Sequence, residues 1–383
     1  MTKHRIVNIS VICKGNLKML SGMCKRIIIV LVTGFLAWAY QASHPPPPKV
    51  CGTPDGALTT GPRVQLRDGR HLAYKEHGVP KGMAKYKIVF VHGFGSSRHD
   101  ASIAVPEVLE GLGVYLVSFD RPGYGESDPD PKRTTKSIAL DIEDLANQLE
   151  LGSKFYVIGF SMGGQVVWGC LKFIPHRPDL CGAHRLLGAT LVAPVVNYWW
   201  PGFPANLSTV AYYEQYPQDQ WALRVAHYTP WLTYWWNTQK WFPGSSVISG
   251  NAKFSRQDLE IISKFAGREQ PKNLSLDWNQ EYATQQGEFE SLHRDMMVGF
   301  GSWEFDPMDL KNPFPDNVGL VHLWHADEDG LVPVTLQRYI ARKLPWIKYT
   351  EIPGGGHLFA HADGMSRAIL EALLLGKQFT LDN

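Results

Sequence analysis

Short, nearly unbroken apolar runs alternate along most of the chain with segments whose apolar positions recur at helical spacing. Residues 87–92, 114–119, 155–158, 186–192 and 319–325 are such runs. Their β-branched and aromatic content suits parallel strands covered on both faces. Residues 105–112, 137–151, 334–343 and 365–375 carry the helical spacing, and 347–352 reads as one more strand. Ahead of them, 64–67 and 71–76 flank Asp68-Gly69 as the arms of a β-hairpin. The alternation predicts an α/β fold, a mostly parallel eight-stranded sheet with helices on both faces.

The rhythm stops near Pro194. Between Val195 and Phe242 lie fifteen aromatic residues, seven of them Trp, and no strand pattern. Prolines at 201, 204, 217, 230 and 243 divide this stretch into short helices. An insertion of roughly 120 residues after the sixth strand is too long for a loop and is expected to form a helical cap. Its tryptophans make the core of that cap, or some of them line a wide apolar acyl or terpenoid pocket or meet a nearby membrane. Either way they favour a lipophilic substrate, with Phe160, Trp199 and Trp200 as candidate substrate-binding residues.

Near the N-terminus, residues 27–40 form the one long apolar run. As a helix it reaches about 21 Å, short of the roughly 30 Å hydrocarbon core of a bilayer. Lys25 and Arg26 can snorkel, and Trp38 and Tyr40 suit the opposite interface, which extends the effective span. An uncleaved anchor is therefore preferred to a cleaved signal segment, for which Ala37-Trp38-Ala39 offers a site. Lys3, Arg5, Lys14, Lys18, Lys25 and Arg26 precede the run. This keeps the N-terminus cytosolic and puts the remainder on the lumenal or outer side. Asn206 and Asn273 head glycosylation triplets consistent with that side. Pro45 to Pro48 make a stiff spacer. The expected layout is a basic segment (1–26), an anchor (27–42), a spacer (43–60), a core in two parts (61–194 and 318–383) and the cap (195–317).

Composition narrows the function. A formal charge of +2 over 383 residues argues against a nucleic-acid partner. The five cysteines show no paired or metal-ligand spacing, although Cys170 and Cys181 could pair in an oxidising compartment. His322, His325 and His361 do not have the spacing of a metal site, and no glycine-rich phosphate loop follows the first long strand. No cofactor is implied.

The chemistry centres on Gly159-Phe160-Ser161-Met162-Gly163, between a strand and a helix. The glycines permit a sharp corner that leaves the Ser161 hydroxyl exposed at the strand's carboxyl end. A serine nucleophile needs a base, and the base an orienting carboxylate, both in loops after parallel strands. Asp329 and His357 meet that requirement, with Asp327 an alternative acid. Asp120 and Arg121 are expected to brace the turn after residue 119 through an ion pair with each other.

The order Ser161, Asp329, His357 resembles the serine α/β-hydrolase superfamily, especially esterase- and lipase-like members with a helical cap. Five elements carry the likeness: His92-Gly93-Phe94-Gly95, Asp120-Arg121-Pro122-Gly123-Tyr124-Gly125, Gly159-Phe160-Ser161-Met162-Gly163, Asp329-Gly330-Leu331-Val332-Pro333 and Gly356-His357. The overall flavour is that of plant members of unassigned substrate. The resemblance covers residue 60 to the end. It implies a Ser161–His357–Asp329 triad, an oxyanion hole from the backbone N–H groups of Phe94 and Met162, and a small lipophilic ester as substrate. Two other outcomes share these residues: a ligand receptor on the same fold, and a lyase or cyclase that uses the serine and histidine without hydrolysis. Oligomeric state is not readable.

Overall fold

The computed structural model describes residues 4–174, 185–266, 277–314 and 319–379. They form two units, residues 1–45 and 46–383. In the first, α1 (His4–Ser43) is a single long helix. Its part Gly22–Ser43 is the one stretch among the described residues long and apolar enough to cross a membrane, by length and composition. Those 22 residues extend about 33 Å, so the helical span is longer than the apolar run at 27–40 alone indicated.

The second unit is built on strands β1 (Arg63–Gln65), β2 (His71–Gly78), β3 (Tyr86–Val91), β4 (Val114–Phe119), β5 (Phe155–Phe160), β6 (Leu186–Val192), β7 (Leu320–Ala326) and β8 (Ile347–Ile352). They make one eight-stranded sheet in the order β1-β2-β4-β3-β5-β6-β7-β8. β1 and β2 pair antiparallel as the predicted hairpin, β2 runs antiparallel to β4, and all other neighbours are parallel.

Alternation along the strands fills two cores. Val89, Val91, Val157, Leu191 and Leu323 face α3 (Thr135–Gln148), α4 (Met162–Phe173) and α11 (Val334–Lys343). Ile88, Phe90, Ile158, Val192 and Trp324 face α2 (Pro106–Leu112) and α12 (Met365–Leu375). Side chains on successive strand residues point to opposite faces, so a run that looks uniformly apolar supplies both layers.

Between β6 and β7 the chain is helical: α5 (Ala205–Tyr213), α6 (Pro217–Tyr228), α7 (Thr233–Thr238), α8 (Arg256–Ala266), α9 (Asp277–Ala283) and α10 (Arg294–Phe300). Pro217 opens α6 at its first position, where the missing N–H has no helical partner to lose. Parallel pairing of β3 and β5 to β7 delivers their carboxyl ends to one edge. The loops that follow them meet there, beneath this helical segment. Cys170 is buried with a free thiol, and Cys181 and Asn273 lie outside the described residues.

Candidate active site

Ser161 stands in the corner between β5 and α4 at φ 54° and ψ −116°. A non-glycine residue in that region stores about 1–3 kcal/mol of strain, held here by the surrounding packing. The corner is tight: a side chain at Gly163 would strike the carbonyl of Val91 on β3, and one at Gly159 the backbone of Gly163. Ser161 N donates to Val192 O at 2.8 Å, and Val195 N donates to Ser161 O at 3.1 Å, pinning the corner to the end of β6.

The hydroxyl of Ser161 donates to Nε2 of His357 at 2.9 Å, and Nδ1 of His357 donates to Asp329 Oδ2 at 2.7 Å. All three residues are buried. The second oxygen of Asp329 accepts from the N–H groups of Leu331 and Val332, each at 2.9 Å. The turn that follows β7 thereby fixes the carboxylate. Asp327 faces elsewhere, accepting from Gly354 N at 2.7 Å. Burial opposes charge on both partners of the His357–Asp329 pair, yet the interaction outweighs it on both sides. It holds the Asp329 carboxyl below its ordinary range, with His325 and the Val332 N–H helping. It also raises His357 above the ordinary imidazole value, with Asp258 adding to the effect.

Phe94 and Met162 both border the space in front of Ser161. Among the described residues neither backbone N–H is taken by a protein acceptor. The Phe94 loop is braced from behind. His92 donates from Nδ1 to Gly93 O at 2.8 Å and accepts at Nε2 from Arg121 N at 3.0 Å. Burial, reinforced by the nearby Arg121, keeps this imidazole well below its ordinary pKa and hence neutral.

Arg121 does not pair with Asp120 as expected. It makes a forked pair with Asp295 of α10, at 2.8 and 2.6 Å, and also donates to Gly93 O. Asp120 pairs instead with buried Arg98 and accepts from Tyr282 OH. Sequence neighbours at the end of a strand point to opposite sides, so each finds its partner from another part of the chain. Arg133 and Tyr124 complete the set around Asp295, at 2.9 and 2.7 Å.

The pocket in front of Ser161 is lined chiefly by apolar side chains, including Tyr198, Leu223, Met296, Phe300, Leu331 and Val332. Phe160, Trp199 and Trp200 do not border it. Phe160 lies against the rings of His357 and His361. Trp199 stacks on His227, and Trp200 packs on Trp168 and Trp303 within the core. The backbone turn through these residues aims Tyr198 at the pocket in their place.

Sequence reasoning also missed Asp295 and Asp258. For Asp258 a signal existed, because Ser255-x-x-Asp258 is a capping box. Asp295 lies in a helix among other charges and carries no local signature.

A mostly parallel sheet of this order, with a serine at the corner after its central strand, defines an α/β-hydrolase fold. Residues 88–371 match the profile of the alpha/beta hydrolase family, and the chain belongs to it. Among solved structures it is similar to a bromoperoxidase from Bacillus anthracis (18% identity, 81% of this chain and 98% of that one, TM-score 0.51). It is also similar to a hydrolase from Pseudomonas aeruginosa (16%, 81% and 97%, 0.51). A third is an enzyme described as degrading N-acyl homoserine lactones (14%, 81% and 99%, 0.50). At these identities the likeness establishes the fold.

Proposed function

We propose that the protein is a serine hydrolase of carboxylic esters with a small apolar substrate. The observation that carries this reading is the hydrogen-bonded line from Ser161 through His357 to Asp329, opening onto a pocket with apolar walls. His357 takes the Ser161 proton as Oγ bonds to the ester carbonyl carbon. The resulting oxyanion accepts from the N–H groups of Phe94 and Met162. The tetrahedral centre collapses, the C–O bond to the alcohol breaks, and His357 passes its proton to the leaving oxygen. Water then attacks the acyl-enzyme, giving its proton to His357, and the acid departs as the serine is reprotonated. Asp329 holds the imidazole tautomer and offsets the imidazolium charge throughout.

The N-terminal helix is proposed to anchor the protein, with the N-terminus cytosolic and the hydrolase unit on the lumenal side. Its length, its apolar composition and the preceding lysines and arginines support this.

A fluorophosphonate probe with site mapping tests the nucleophile. We expect label on Ser161, and loss of ester turnover by at least about 10,000-fold in Ser161→Ala. Full turnover in that variant would end the reading.

A further inference from the structure

The segment 253–258, which leads into α8, lies directly on the two loops that carry the acid and the base. A side chain at Gly330, next to Asp329, would strike the carbonyl of Lys253. One at Gly356, next to His357, would strike Ser255 Oγ and the carboxyl of Asp258. Gly356 does not have positive φ, so close approach rather than backbone conformation requires a glycine there. Three successive N–H groups of the histidine loop are taken up by this segment. Gly356 N donates to Gln257 Oε1 at 2.8 Å, His357 N to Asp258 Oδ2 at 3.1 Å, and Leu358 N to Asp258 Oδ1 at 2.7 Å.

Asp258 has no exposed surface. Its Oδ2 also accepts from Ser255 N, and its own N–H donates to Ser255 Oγ, which closes the capping box of α8. One carboxylate therefore caps a helix of the insertion and grips the backbone of the residue that abstracts the serine proton.

We propose that Asp258 is a positioning residue for the hydrolase reaction: it fixes the loop of His357 and stands as a second carboxylate beside the base, so that the reactivity of Ser161 depends on the inserted helices being seated. The inference rests on the Ser161–His357–Asp329 reading given above.

The charged and titratable groups facing His357 are few. Asp329 and His325 approach from β7 and its loop, His361 from the turn that follows, and Asp258 from the inserted segment. Both carboxylates favour the imidazolium, and the two histidines are themselves held towards the neutral form by burial. An uncharged residue at 258 removes one of the two negative charges that favour the imidazolium and leaves the contact to Asp329 intact.

The test uses the full chain in detergent, with p-nitrophenyl butyrate as the probe ester and kcat/KM followed across pH. In Asp258→Asn the midpoint of the acid limb is expected to fall by about one pH unit. The plateau falls by about tenfold as the loop loosens. Asp258→Glu, which keeps the charge, restores the midpoint.

If the asparagine variant does not fold, Gly356→Ala takes its place. The added methyl pushes the segment off the loop with every charge retained, and the midpoint moves in the same direction. A midpoint that stays at the wild-type value, in a variant that still labels at Ser161, overturns the proposal whether or not the plateau drops. Wild-type protein that does not label at Ser161 overturns the underlying hydrolase reading instead, and this inference with it.

Discussion

At the scale of the residue, the site depends on two groups whose burial alone would disarm them. Desolvation pushes His357 towards neutrality and Asp329 towards protonation, and each survives as it is because the other lies 2.7 Å away. In the proposed mechanism His357 works in its neutral form, so a raised imidazole value delays activity as pH rises. We expect the acid limb of kcat/KM to have its midpoint above about 6.5, the ordinary histidine value, in the wild-type protein. A midpoint well below that would mean that burial, not the carboxylates, governs His357. These residues were legible in the sequence because each sits in a short motif with its own steric logic. The partners of Arg121 were not. Which way its side chain leaves the end of β4, and what meets it there, depends on a helix 174 residues further along.

At the scale of the element, α10 matters beyond its length. Through Asp295 it neutralises Arg121 and Arg133, both buried, and Arg121 in turn holds the Gly93 carbonyl behind the Phe94 N–H. Removing the carboxylate leaves two guanidinium groups without a counter-charge in the interior. Asp295→Ala should therefore cost about 3–5 kcal/mol of stability, read from denaturant midpoints. On the proposed reading, the surviving folded fraction should also turn over ester more slowly, because the loop that carries the Phe94 N–H is released. Asp295→Ala with unchanged stability would mean that the arginines find other partners. The strands of the sheet were visible as apolar runs, and the hairpin as Asp-Gly between two such runs. The pocket-facing residues were not visible in the aromatic-rich stretch. Its hydrophobicity is nearly uniform, so neither period nor composition separates Tyr198, which borders the pocket, from Trp199 and Trp200, which do not.

At the scale of the whole molecule, the chain joins a helix able to span a bilayer by length and composition to a hydrolase-fold unit. If the helix is an uncleaved anchor, the full chain should stay in the pellet after alkaline carbonate extraction. Asn206, exposed in the first turn of α5, should then be open to glycosidase-sensitive modification. Release of the hydrolase unit into the supernatant would show instead that the leader is cleaved. The sequence alone determined the alternation of strands and helices and the corner at Ser161. It also determined the acid-then-base order, because these are local: periodicity, glycine sterics and turn chemistry act over a few residues. Only the tertiary structure decided that Asp258 grips the histidine loop, that Asp295 serves two arginines, and which side chains wall the pocket. Those contacts join residues far apart in the chain, 99 positions for Asp258 and His357 and 174 for Asp295 and Arg121, and what selects them is packing between elements rather than any pattern along the chain.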